Sequence, residues 1–316
     1  MGGGRRAWDT GSVGWPERLR AIEAMTRESA TEIGVAAAEA LELWVAEHEG
    51  PDPRAFVQAL DEATRQLTDR KPATAPLHNL RYRMVQFAAE MLREGVPLDQ
   101  MREELRDWLR GYRTHVAESH ARIAHHGAEA LVECEVILTL SYSRTVFAVL
   151  EELYQHNPDL SVVVFEARPY LEGRRMAEAL AQLGVSVTLT VDAAMAYYMD
   201  VASAVLTGAE AVSLEGSFVN KVGTRPLMTC AHAHGVPAYV ATETVKILPP
   251  TLRGESVTTV VGRPEDLTAG WTPPEGVEVS SILYEPTPDR LVTAYITEEG
   301  VVSPVRLATL SRPLGV

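Results

Sequence analysis

Cysteine is nearly absent: two in 316 residues, Cys134 and Cys230, too far apart in sequence for a CxxC-type metal motif and too few for a disulfide framework. No apolar run approaches the ~18 residues that would read as a membrane span. The start, Met1-Gly2-Gly3-Gly4-Arg5-Arg6, lacks the apolar core of a secretory signal, so a cytoplasmic address is expected. Net positive charge is missing too. At a net charge of -14 the chain has no general nucleic-acid surface, because phosphate neutralisation by Lys and Arg supplies most of that affinity. A local basic pocket for one small phosphate remains compatible with this balance. The glycine signatures GxGxxG and Walker A do not occur, and no cofactor is expected. His232 and His234, two apart on an expected helix, point to different sides, so no metal site is expected there or at His125-His126.

What is present divides the chain in two. Residues 1–15 carry three consecutive glycines and read as a flexible arm. From Pro16 to Gly127 the pattern is helical, with helices expected over 21–48, 53–67, 77–93 and 98–121 and breaks at Pro72, Pro76 and Gly95-Val96-Pro97. Near Ala130 the register changes. Short β-branched runs at 135–141, 161–167, 186–192 and 238–242 alternate with helical stretches at 144–156, 173–183 and 221–234. Such alternation means a parallel sheet with right-handed crossovers. The expected architecture is α/β: a helical domain over 16–127, then a Rossmann-like domain over 128–316. Residues 243–286 read as loop, and Arg290 to Thr297 as a last short helix or strand.

The most informative stretch is Leu206 to Thr224. An apolar strand leads into Gly208-Ala209-Glu210, an excursion through Glu215-Gly216 follows, and Asn220-Lys221-Val222-Gly223-Thr224 opens a helix. A strand ending in a carboxylate and feeding a Gly-Thr helix start sets an acid and phosphate-binding amides at the carboxyl edge of a parallel sheet, where open α/β sheets bind ligands. Asn220 is most simply an N-cap there. Lys221 opposes the helix dipole, which argues for a ligand or an acidic partner.

This stretch resembles the GAD…NKIGT signature of the initiation-factor-2B family, whose members include methylthioribose-1-phosphate isomerase, ribose-1,5-bisphosphate isomerase and the alpha subunit of the translation factor. Other segments carry the same resemblance: Val136 to Arg144, Glu166-Ala167-Arg168-Pro169 with Gly173, Asp192-Ala193-Ala194, Glu285 with Thr287, Ile296 to Gly300, and Lys71-Pro72-Ala73-Thr74. The resemblance implies a homodimer, with the apolar run Leu291 to Ile296 as candidate interface, and a pocket for a small phosphorylated sugar or nucleotide. It implies that Lys71, Arg168, Asn220, Lys221, Gly223 and Thr224 bind substrate or phosphate. In the isomerases a cysteine and the GAD aspartate interconvert an aldose 1-phosphate and a ketose 1-phosphate, a task for two titratable groups with separated pKa values. The corresponding catalytic positions here are Ser141 and Glu210.

The chain departs from that pattern at three places. Ser141 stands where the cysteine would, and a serine hydroxyl needs an activating base. Glu210 carries its carboxylate one methylene further out than an aspartate. Arg27-Glu28-Ser29-Ala30 aligns with a family phosphate loop, and in that register Glu28 would repel a phosphate dianion, whereas a one-residue slip would put Arg27 in its place. The Ser141-Tyr142-Ser143-Arg144 continuation resembles the translation-factor subunit, a ligand-binding rather than catalytic member.

Overall fold

A computed structural model describes residues 13–25, 29–249, 260–268 and 270–310. The glycine-rich start to residue 12 and the Arg27-Glu28 pair lie outside the described residues. Two compact units divide at Ala117/Glu118.

The first unit is helical: α1 (Trp15–Glu23), α2 (Ala30–Glu47), α3 (Pro53–Arg70), α4 (Ala75–Glu94) and the start of α5 (Leu98–Ala130). Trp15, expected to belong to the arm, begins α1. The single helix expected over 21–48 is two helices. Ser29 starts the second with a capping box: its hydroxyl accepts from the Glu32 amide, and the Ser29 amide donates to the Glu32 carboxylate. α4 ends at Gly95, whose φ of 75° supplies the left-handed C-cap.

The second unit holds the rest of α5, then β1 (Val136–Leu140), α6 (Arg144–His156), β2 (Ser161–Phe165), α7 (Glu172–Leu183), β3 (Ser186–Thr190), a short α8 (Met195–Tyr198) and β4 (Ala204–Thr207). Next come β5 (Ala211–Val212), β6 (Phe218–Lys221), α9 (Thr224–His234), β7 (Ala238–Ala241), β8 (Val260–Val261) and α10 (Pro264–Leu267). The described chain closes with β9 (Ile282–Thr287), β10 (Ala294–Thr297), β11 (Gly300–Val302) and α11 (Leu307–Leu310).

Seven strands form one sheet in the order β11-β10-β7-β4-β1-β2-β3, parallel except for the antiparallel β10–β11 pair. Alternate residues of its central strands feed two separate cores, as the strand period of two requires. Leu138, Leu140, Val163, Phe165 and Val205 pack on the face that holds Leu227 and Met228 of α9. Ile137, Val162, Val164, Ala204 and Leu206 pack on the opposite face against Val149 and Leu150 of α6 and Met176 and Leu180 of α7. Burial on both faces explains why these strands read as continuous apolar runs.

Four strands form a second sheet, β5-β6-β9-β8, all antiparallel. The sequence reading missed it: Asn220-Lys221, expected to start a helix, end strand β6, and the expected loop over 243–286 contains β8 and most of β9. The apolar run Leu291 to Ile296 is not a surface. Leu291, Val292, Tyr295 and Ile296 are buried within the chain, Tyr295 donates its hydroxyl to the Gly216 carbonyl at 2.7 Å, and the run ends in β10. The run therefore does not serve as the expected interface.

Gly173 shows how tightly α7 sits on the sheet. A Cβ there would lie 2.1 Å from the Phe165 carbonyl oxygen and 2.8 Å from Glu166 Cα, both backbone atoms that cannot rotate away. Gly173→Ala is expected to lower stability by about 1–3 kcal/mol, the usual cost of overpacking, measured by urea denaturation.

Candidate functional site

The strand order reverses between β1 and β4, whose chains continue to opposite sides of the sheet. Loops leaving the carboxyl ends of neighbouring strands diverge at such a point and leave a crevice. Ser141 follows β1 directly, and Gly208-Ala209-Glu210 follows β4. A Cβ on Gly208 would lie 2.7 Å from the Ser143 hydroxyl, and one on Gly223 would lie 3.3 Å from Leu140 Cδ2. The end of β1, the end of β4 and the start of α9 thus meet.

Two non-glycine residues at strand ends here have left-handed backbones: Ser141 with φ 66° and Ala167 with φ 61°. Such conformations are held only where the surroundings over-determine them, and they cluster at functional sites. Asp192 provides one constraint. Its carboxylate accepts from the amides of Ala167 and Arg168, both at 2.8 Å, and fixes the loop after β2. Ser143 provides another, capping α6 by accepting from the Val146 amide.

Ser141 is buried, and its hydroxyl makes no hydrogen bond to a described residue. The Tyr142 ring is covered by the Arg175 guanidinium at 3.9 Å from its centroid. Arg168 is exposed, with Nη2 at 3.5 Å from the Leu267 carbonyl. The acids next to Arg168 are engaged elsewhere: Glu166 pairs with Arg174 at 3.2 Å and Glu172 with Lys221 at 2.7 Å. Lys71 belongs to the first unit, where its ammonium donates to the Met25 carbonyl at 2.6 Å.

Lys221 is a buried cation. Its side chain is 6% exposed, and its ammonium lies 2.7 Å from Glu172 Oε1, 4.6 Å from the Tyr284 ring centre and 5.3 Å from that of Tyr170. The antiparallel ladder sets Lys221 directly opposite Tyr284. Burial raises the Tyr284 phenol well above its ordinary range, and the charges of Glu210 and Glu172 raise it further. The Glu210 amide donates to the Val219 carbonyl, which ties the residue to β6.

The start of α9 differs from the expectation. Its N-cap is Gly223, at φ 98°, and not Asn220. Asn220 Nδ2 instead donates to the Thr224 hydroxyl at 3.0 Å, and that hydroxyl donates to the Lys221 carbonyl at 2.7 Å. The Gly223 amide donates to Glu285 Oε1 at 2.7 Å, and the Arg225 amide to the same oxygen at 3.2 Å. A protein carboxylate thus holds the place expected for a ligand phosphate, and Gly223 and Thr224 are engaged in capping. Such a carboxylate contributes about 0.3–1 kcal/mol.

A second charged group at the carboxyl edge follows β7. Glu243, 1% exposed, accepts from the Thr145 hydroxyl at 3.2 Å, lies 2.8 Å from His120 Nε2 on α5, and pairs with Lys246 at 3.0 Å. Burial by itself pushes this carboxyl up, but Lys246 and His120 more than offset it and hold the group below the usual carboxylate range. The cluster joins residues 98 or more apart from Glu243 on two helices, so no local motif announces it. Of the two thiols, Cys134 precedes β1 at the amino edge, and burial pushes its pKa up, an inert setting. Both cysteines are half-buried rather than buried.

Residues 26–304 match the sequence model of the Initiation factor 2 subunit family. Among known proteins, the chain is 32% identical over 307 residues to ribose 1,5-bisphosphate isomerase of Haloterrigena turkmenica, covering 93% of this chain and 91% of that one. It is 32% identical over 313 residues to methylthioribose-1-phosphate isomerase of Thermus thermophilus, covering 95% and 88%. Among solved structures, the translation initiation factor eIF-2B of Pyrococcus horikoshii OT3 superposes with a TM-score of 0.75 at 26% identity, covering 92% of this chain and 98% of that one. Among the described residues no helix is long and apolar enough to cross a membrane.

Proposed function

The chain belongs to the Initiation factor 2 subunit family, and from that premise we propose that it binds a small phosphorylated sugar at the carboxyl edge of its parallel sheet, with chemistry related to aldose–ketose sugar-phosphate isomerases. The observation that supports this reading is the buried Lys221, held between two tyrosine rings and Glu172, with the charge of Glu210 reaching the Tyr284 ring beside it. Burying an ammonium is costly, and open α/β sheets bind ligands at their carboxyl edge. We assign Glu210 the role of moving a proton from C2 to C1 of an aldose 1-phosphate. The exposed Arg168 guanidinium suits a phosphate, which it can grip through two parallel N–H groups. We place this activity in the cytoplasm.

One observation favours a second reading, a ligand-binding regulatory homologue without turnover. Ser141 has no described hydrogen-bond partner to act as a base, so nothing activates its hydroxyl. The experiment that separates the two readings offers ribose 1,5-bisphosphate and methylthioribose 1-phosphate to the protein. Melting temperature reports binding, and NMR reports ketose formation. A raised melting temperature with ketose formed supports the isomerase reading. A raised melting temperature alone supports the regulatory one. No shift with these sugars, alongside a shift with nucleoside monophosphates, would replace the sugar with a nucleotide.

A further inference from the structure

The proposed pocket combines groups that treat a phosphate and a sugar hydroxyl very differently. Lys221 arrives with its charge already met, because Glu172 Oε1 lies 2.7 Å from the ammonium and that side chain is itself 29% exposed. Glu210 adds a second carboxylate whose field reaches Tyr284. The Lys221–Glu172 pair is neutral as a unit, and a phosphate dianion brought against it is held off by the Glu172 carboxylate. A sugar hydroxyl is not. It can donate to a carboxylate oxygen and accept from an N–H of the ammonium that Glu172 does not use.

Tyr284 completes the same wall. It is half-buried, stands opposite Lys221 on the β6–β9 ladder and keeps its ring 4.6 Å from the ammonium. Its hydroxyl makes no hydrogen bond to a described residue. Tyr170 differs: its ring also faces Lys221, but its hydroxyl donates to Asp266 at 2.7 Å. Burial and the two carboxylates keep the Tyr284 phenol protonated at any working pH, so its oxygen carries a proton to donate.

We propose that Lys221, Glu172 and Tyr284 form a subsite for the uncharged, hydroxyl-bearing part of the sugar, that the phosphate is held outside this subsite, and that the Tyr284 hydroxyl is a specificity-determining donor to a ligand oxygen. The proposal rests on the sugar-phosphate reading above and reassigns Lys221 from phosphate to hydroxyl contact. Arg168, exposed and bound only at 3.5 Å to a carbonyl among described partners, is the side chain we assign to the phosphate.

The test is Tyr284→Phe, which keeps the ring, its packing and its contact with the ammonium and removes one oxygen. Ribose 1,5-bisphosphate is titrated calorimetrically into the wild-type chain and the variant, and inorganic phosphate is measured on both as a competitor of that sugar. Thermal melts check that the variant is folded. The expected result is a loss of about three- to tenfold in affinity for the sugar phosphate, with the inhibition constant of inorganic phosphate unchanged. Arg168→Ala is expected to show the opposite signature, a weakened inorganic phosphate. Unchanged sugar affinity in Tyr284→Phe overturns the donor role. Equal weakening of sugar and inorganic phosphate in that variant places the phosphate in the Lys221–Tyr284 subsite and overturns the reassignment while leaving the pocket in place. A wild-type chain that binds neither ribose 1,5-bisphosphate nor methylthioribose 1-phosphate removes the underlying reading as well.

Discussion

Glu243→Gln is expected to destabilise the second unit by about 3–5 kcal/mol at neutral pH, the cost of breaking a buried ion pair from one side. The substitution keeps the shape of the side chain and removes its charge. Lys246, with 7% of its side chain exposed, loses the anion that lay at 3.0 Å, while the glutamine amide oxygen still accepts from Thr145 and His120. The sign of the pH dependence follows from the depressed carboxyl. Its folded-state pKa lies below the ordinary value of 4.5, so its stabilisation is fully present above that value and is lost as pH falls from there through the folded-state pKa. Urea denaturation followed by circular dichroism should show a large gap between wild type and variant at pH 7. The gap should narrow as the pH drops below about 4.5. A gap independent of pH over that range would mean that the charge of Glu243 contributes nothing and that only packing was lost.

This cluster also marks where reading the sequence stopped being informative. Its members become neighbours only when β7 lies beside β4 and α5 packs against the sheet. The central strands were legible for the opposite reason. Val136 to Leu140 and Ser161 to Phe165 are buried over all but their first residues, so burial prints itself as a largely apolar run, broken only by Thr139 in the first and opened by Ser161 in the second. The second sheet left no such print. β5 and β8 have two residues each, and β9 carries Glu285 and Pro286 in its middle. Asn220 read as a helix cap because short polar side chains usually cap nearby amides. Here the capping carboxylate comes from Glu285, 62 residues away, and Asn220 turns to Thr224 instead. The acidic partner of Lys221 was anticipated in kind, but its identity as Glu172, 49 residues back, needed the fold. Glu28, whose charge would bear on a phosphate loop, lies outside the described residues.

Glu210→Gln is expected to lower isomerase turnover by about a hundred- to ten-thousandfold, the usual contribution of a positioned acid or base, while sugar-phosphate affinity changes less than about threefold. Glutamine fills the same space and accepts the same hydrogen bond from a ligand hydroxyl, but takes no proton from carbon. An interaction needed only in the transition state shows in kcat, and one needed in the ground state shows in KM. Deuterium exchange at C2 of the bound sugar gives an independent reading, since it requires proton abstraction even where net conversion is slow, and it should vanish in the variant. Ser141→Ala serves as the internal comparison. With no described base against its hydroxyl, that change should cost far less than the change at Glu210. Glu210→Asp shortens the side chain by one methylene and shifts the carboxylate by about 1.5 Å, a displacement that can alter the rate on the order of a hundredfold where alignment controls it. Should Glu210→Gln instead lower the melting temperature while leaving turnover per folded molecule intact, the carboxylate would be part of the loop's architecture and another group would have to move the proton.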